Sequence, residues 1–453
     1  MSAGFVSINN QISRFSLFTS CTLCQRFTNQ TVLRMRYLSK LAVILCPLSL
    51  SACVLVVNPK TPNDLPTPVP NVTPVDGSDQ KSVFLAALPE STPNRQLLVE
   101  SWDSYRRKFI QGDGRVIDYE ASDHSTSEGQ AYAMLRAVFI DDPETFALTL
   151  KWAESNLLRQ QNGKPTDKLW AWKWGKKPDN SWGIIDSNFA SDGDIDAITA
   201  LILASRRWQR PEYMELAKSK LRDLWNLSTI SGTEGKRYLL PGPSAAFVPN
   251  ESTLYLNPSY LAPYAFRIFA QIDSGRDWLS LVDSSYQILE NSARLSTVGL
   301  PSDWVALDLK TNQFQTMPNS RDLKSLYSFD AYRVWWRLSL DAVWFNSPQA
   351  QQYLQQSTQH LQNLWTQKSY LPARIDLQGN QLVDYDATSQ YAMFYAAMRL
   401  VKPSIASEVL TKKLLPQYKQ GIWGEHSAYY TQNLAWLGLW SPDSLPRELI
   451  LGK

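Results

Sequence analysis

The sequence predicts an all-α fold: an (α/α)6 barrel of six inner and six outer helices, with minor short β pieces. Three observations point there. Apolar residues fall three and four apart in SWDSYRRKFI, DPETFALTLKWAESNLL and QQYLQQSTQHLQNLWTQ, the spacing of a helix with one buried face. Strand-like alternation is scarce, and short β pieces are expected only at YLLPGP and between Asp303 and Phe314. A unit also recurs along the chain: a polar or turn cluster runs directly into an apolar helix rich in Ala, Leu and aromatics.

In chain order, residues 1–34 are polar and unpatterned, the expectation for an unstructured upstream extension. Cys21 and Cys24 form a CxxC there, but without a strand–helix context the spacing carries no redox or metal assignment. Arg34, Arg36 and Lys40 then precede an apolar stretch from Leu41 to Leu50. That stretch suits a signal peptide and is too short to span a bilayer. It ends in Leu50-Ser51-Ala52-Cys53, which resembles the bacterial lipobox, whose cysteine is acylated and becomes the first residue of the mature chain. Residues 35–53 are therefore expected to be a lipoprotein signal peptide, with Met35 as the natural start. Cys53 is the expected lipid anchor of an exported, periplasmic or cell-surface bacterial protein. Residues 54–94, rich in Pro, Thr, Asn and Asp, read as an extended spacer. Residues 95–453 remain for one domain.

Within that domain the recurring unit occurs at STSEGQAYAMLRAVFI, SDGDIDAITALILASRRW, NPSYLAPYAFRIFA, SFDAYRVWWRLSLDAVWF, DYDATSQYAMFYAAMRL and AYYTQNLAWLGLW. Helices apolar nearly all round are buried ones. Six buried helices alternating with amphipathic ones make the barrel, with the polar clusters sharing one rim. Periodicity alone fits equally an irregular helical domain whose helix caps happen to be polar.

Composition narrows the chemistry. None of the four cysteines lies after Cys53, and the only histidines are His124, His360 and His426. A structural zinc site or histidine triad is not expected, and neither is any metal or cofactor. A net charge of +3 gives no reason to expect nucleic acid. Carboxylates are left to do the chemistry. The 17 Trp and 20 Tyr serve a core, and they also suit stacking on the apolar face of a pyranose.

The rim clusters supply the acids: Glu128 in Ser127-Glu128-Gly129, Asp192, Asp194 and Asp196 in Ala190-Ser191-Asp192-Gly193-Asp194-Ile195-Asp196, and Asp330 in Asp330-Ala331-Tyr332-Arg333. Singly, each reads as a helix cap or a solvated charge. Together they are what glycosidic cleavage needs, an acid for the leaving oxygen and a carboxylate for water or carbon. In combination, and in order with Ala171-Trp172-Lys173-Trp174-Gly175 and Asn257-Pro258-Ser259-Tyr260, these segments resemble glycoside hydrolase family 8 over residues 95–445. The likeness is greatest to the endoglucanases found with bacterial cellulose synthesis. One departure is Ala197-Ile198, where the family usually has Ile or Met before Ala; that affects helix packing more than chemistry.

The resemblance implies an inverting, endo-acting hydrolase of a β-1,4-linked polysaccharide, with cellulose or another β-1,4-glucan favoured over xylan or chitosan. It implies Glu128 as general acid, Asp330 as general base and Asp192 as the carboxylate that holds and distorts the sugar, with Asp194 a second candidate for that task. It sets Tyr260 near the nucleophilic water and Arg333 beside the base. Trp170, Trp172, Trp174 and Trp182 are candidate stacking platforms. Partners would be the glucan, a membrane through the anchor, and a polysaccharide synthesis or secretion complex. Two other readings stay open: a non-catalytic polysaccharide-binding lipoprotein on the same barrel, and a polysaccharide lyase, against which the acidic rim argues.

Overall fold

A computed structural model describes residues 93–452, apart from 233–234, 320–321 and 425. The extension, the signal peptide with Cys53, and the spacer up to residue 92 lie outside the described residues.

All six recurring units form helices. They are α2 (Ser127–Phe139), α4 (Ser191–Trp208), α6 (Pro263–Ile272), α8 (Arg333–Trp344), α11 (Thr388–Val401) and α13 (Tyr429–Leu439). Their residues are buried on nearly every side; in α4 this holds from Ser191 to Ser205. Between them run helices with one apolar face: α1 (Arg95–Phe109), α3 (Pro143–Asn156), α5 (Pro211–Ser228), α7 (Trp278–Arg294), α9 (Pro348–Ser357), α10 (Gln359–Lys368) and α12 (Pro403–Val409). Each buried helix packs on the next, α2 on α4, then α6, α8, α11 and α13, and α13 returns to α2. Each is also backed by an amphipathic neighbour: α3, α5, α7, α9, α12 and, for α13, α1.

Local chemistry sets where these helices start. Asp142, Asp277 and Ser347 accept from the backbone N–H groups of Thr145, Ser280 and Ala350, capping α3, α7 and α9, and Pro occupies the first turn of α3, α5, α6, α9 and α12, where its missing N–H costs nothing. The core is mainly aliphatic, with large aromatics set into it. Trp102, Trp335, Trp365, Trp436 and Trp440 are essentially fully buried, and Phe139 stacks on Trp440 with ring centres 4.0 Å apart.

The short β pieces occur where expected, at Arg237–Leu239, Val305–Asp308 and Gln313–Gln315, also at Thr229–Ser231, Thr253–Leu256, Tyr418–Lys419 and Ile422–Trp423, and in a region that alternation does not reveal. There, Leu158–Gln161 pairs with Lys164–Trp170, and Lys173–Lys176 lies between Ser125–Thr126 and Trp182–Asp186. The last sheet ties the lead-in of α2, and hence Glu128, to the tryptophan-rich segment.

Candidate active site

The site is built at the N-terminal ends of the buried helices. Thr126 caps α2, its side chain accepting from the Gly129 backbone N–H at 3.0 Å, and this holds Glu128 in the first turn. Asp192 occupies the first turn of α4, and Arg333 begins α8. Asn257 organises the turn Pro258–Tyr260 by accepting from the backbone N–H and hydroxyl of Ser259.

One guanidinium joins the three predicted carboxylates. Nη1 of Arg333 donates to Glu128 Oε2 at 2.6 Å and to Asp192 Oδ2 at 2.7 Å, while Nη2 donates to Asp330 Oδ1 at 2.8 Å and to Ser259 Oγ at 2.9 Å. Arg333 was expected beside the base alone; it bridges all three acids. Arg333 and Asp192 are almost wholly buried, whereas Glu128 and Asp330 keep 20% and 26% of their side chains exposed. The two exposed acids open into a cavity of about 360 Å³, also lined by Tyr260, Trp304, Phe329, Tyr429 and Tyr430.

The environments of the two acids differ. Burial, reinforced by the negative charge of Asp192, lifts the Glu128 carboxyl to about 7 against the opposing pull of Arg333 and the Tyr429 hydroxyl, which donates to Oε1 at 3.0 Å. A carboxylic acid so raised keeps a substantial protonated fraction near neutrality. Burial lifts Asp330 too, but Arg333, Asn257 and Trp304 all favour its charged form. The Asn257 amide and the Trp304 indole N–H each donate to its Oδ2 at 3.2 Å.

Other predicted residues divide. Tyr260 lines the cavity, its ring under the Arg333 guanidinium at 5.2 Å. Asp194 is fully buried and accepts from the Trp170 backbone N–H at 3.1 Å; it braces a strand and does not face the cavity. Asp196 lies one helical turn below Asp192 and is gripped by both terminal nitrogens of Arg337, at 2.8 and 2.9 Å. Trp170 has no open face: it is wholly buried, its indole donates to Glu154, and the Lys220 ammonium lies 4.3 Å from its ring centre. Its prediction as a stacking platform is corrected, because both ring faces are used in packing. Trp172 is buried as well, and Trp174 is wedged between Trp152 and Trp182. Only Trp182, 48% exposed, keeps an open face among the four.

Sequence reasoning missed Asp303, Trp304, Tyr429 and Tyr430. Asp303 accepts from the backbone N–H groups of Ser328 and Ala331 at 3.0 and 2.8 Å and from the Ser328 hydroxyl, so it clamps the turn carrying Asp330. Tyr429 and Tyr430 open the sixth recurring unit, and that shared position was their only available signal.

Comparison with known proteins places the chain in a family. The family model for glycosyl hydrolases family 8 matches residues 82–440. An endoglucanase of Xanthomonas axonopodis pv. citri (strain 306) is 36% identical over 245 residues, 53% of this chain and 60% of that protein. An endoglucanase of Escherichia coli (strain K12) is 31% identical over 236 residues, 52% of this chain and 60% of that protein. The chain thus spans about three-fifths of the length of these relatives. Among solved structures, the endo-1,4-D-glucanase from Vibrio fischeri ES114 superposes with a TM-score of 0.64 at 26% identity, covering 75% of this chain and 93% of the other.

Proposed function

The chain belongs to glycosyl hydrolases family 8, and from that premise we propose that it is an inverting endo-β-1,4-glucanase whose six buried helices close as an (α/α)6 barrel around Glu128, Asp330 and Asp192. The observation that carries this reading is the Arg333 bridge: one buried cation gathers three carboxylates from three different helix starts and leaves two of them open to one cavity. The cyclic packing of the buried helices supports the barrel. The names of the three relatives described above, two endoglucanases and an endo-1,4-D-glucanase, support the polymer.

In this mechanism Glu128 protonates the glycosidic oxygen as the bond breaks. Asp330 takes a proton from a water that attacks the anomeric carbon from the opposite face. Asp192, almost wholly buried, shares Nη1 of Arg333 with Glu128 and so helps position the acid. After turnover Glu128 is the anion and Asp330 the acid, and the proton returns through solvent. Acid and base sit on different nitrogens of one guanidinium; inversion calls for carboxyls about 6.5–9.5 Å apart when a water and a sugar stand between them.

Proton NMR of the earliest products from a β-1,4-glucan tests the reading. α-Configured reducing ends should come first, with release from carboxymethylated or amorphous cellulose exceeding that from xylan or chitosan. Initial β product, or a preference for another polymer, would overturn it.

The same proposal covers location: Cys53 carries the lipid, and the hydrolase works at a membrane surface, at the polymer or beside a polysaccharide export machinery. What supports this is the lipobox-like Leu50-Ser51-Ala52-Cys53. Cys53→Ala should move the protein from the membrane to the soluble fraction with unchanged specific activity. An unaltered membrane fraction would count against the anchor.

A further inference from the structure

Arg374 stands apart from the other guanidiniums near the site. Arg333 and Arg337 are each matched by carboxylates. Arg374 lines the same cavity, yet among the described residues no carboxylate lies within ion-pair distance, and its Nε is buried without a hydrogen-bond partner. Its guanidinium carbon is 5.9 Å from the ring centre of Phe329, the residue before Asp330.

The backbone around it is held on several sides. Tyr327 and Ile375 exchange two N–H···O bonds of 3.0 Å, Leu382 N–H donates to the Arg374 carbonyl at 2.9 Å, and Ala373 N–H donates to the Tyr385 carbonyl at 2.9 Å. The Tyr332 hydroxyl donates to the Ala373 carbonyl. A guanidinium has five donors and no acceptor. Fixed in a cavity wall without a protein anion, this one is preorganised for acceptors that arrive from outside.

We propose that Arg374, backed by Phe329, forms a sugar-binding subsite next to Asp330, its planar fork donating to neighbouring hydroxyl oxygens of a β-1,4-linked glucose unit. This rests on the glucanase reading above. Vicinal equatorial hydroxyls offer two acceptors side by side, which suits the fork as a point-charge ammonium does not. Hydroxyls are favoured over the carboxylate of a uronic acid because the cavity is acidic: its wall carries Asp118, Glu120, Asp303 and Asp322 besides Glu128 and Asp330, against Lys324, Arg333 and Arg374. A polyanion entering there meets net repulsion; a neutral sugar does not.

Calorimetric binding of cellopentaose to the full chain, made inactive by Glu128→Gln, separates the outcomes. Adding Arg374→Ala should weaken binding by about tenfold, the scale of a hydrogen bond from a charged donor, and Arg374→Lys should restore only part of it. In the active enzyme, Arg374→Ala should raise KM with kcat nearly unchanged. Equal affinity of Glu128→Gln with and without Arg374→Ala would overturn the subsite and leave the glucanase reading standing. Tighter binding of a penta-uronate than of cellopentaose would overturn the choice of hydroxyls. Failure of Glu128→Gln to bind any gluco-oligosaccharide would overturn the glucanase reading, and this inference with it. Arg374→Lys keeps the charge and bulk, so full recovery by it would overturn the role of the fork.

Discussion

Two carboxyls that are chemically alike in water are differentiated by their partners. Glu128 is desolvated, faces Asp192 and is lifted to about 7; Asp330 takes three hydrogen bonds to its charged form. If Glu128 is the acid, its protonated form is present below about pH 7 and lost above it. The alkaline limb of kcat/KM should therefore turn near that pH. Glu128→Gln and Asp330→Asn should each lower kcat by about 10²–10⁴-fold, the usual contribution of general acid or base assistance, while helical circular dichroism stays intact. A wild-type rate in either variant removes that residue from the mechanism, and a limb that stays flat to pH 9 removes the raised acid.

Helix periodicity stacks the site in layers. Residues four apart share a face, so Asp192 and Arg333 above imply Asp196 and Arg337 one turn below, and those two pair at 2.8 Å with the Tyr264 hydroxyl beside them. The lower pair supports the upper one and has no access to substrate. Close approach of buried helices is seen elsewhere in the ring. Gly438 on α13 faces Ala392 on α11, and a Cβ there would collide with the Ala392 carbonyl oxygen and carbon. Gly→Ala in an open helix gains about 1 kcal/mol from propensity. Here the sign should reverse. Gly438→Ala should cost about 1–3 kcal/mol in denaturant unfolding, the range for overpacking; a stabilised variant would mean that the two helices can part freely.

At the scale of the molecule, several buried acids act together. Glu128, Asp194 and Asp303 are lifted to about 7 and Asp118 to about 6, each chiefly by burial. The folded chain thus holds protons that the unfolded chain releases near pH 4, so their contribution to stability is full below that pH and is lost as pH rises toward 7. Melting temperature should fall between pH 5 and pH 8. Asp194→Asn, which keeps an oxygen for the Trp170 N–H and cannot ionise, should reduce that fall. A wild-type melting temperature that rises over this interval contradicts the assignment.

The sequence by itself determined the six buried helices, because a helix apolar on all sides has nowhere to go but inside. It also determined the acids at their starts, because short motifs put Glu128, Asp192 and Asp330 directly before apolar runs. It did not reveal the strands between 158 and 186, where Lys, Trp and Gly follow no period of two. Nor did it separate Trp170, used up in packing, from Trp182, open to solvent, since both have the same side chain and differ only in what covers it. Tertiary structure alone decided that Arg333 serves three carboxylates, that Asp303 and Tyr429 join residues 25 and more than 300 positions away, and that Arg374 has no acid within ion-pair distance among the described residues. Partners so far apart along the chain leave no local pattern; they meet only when the helix starts are brought to one rim.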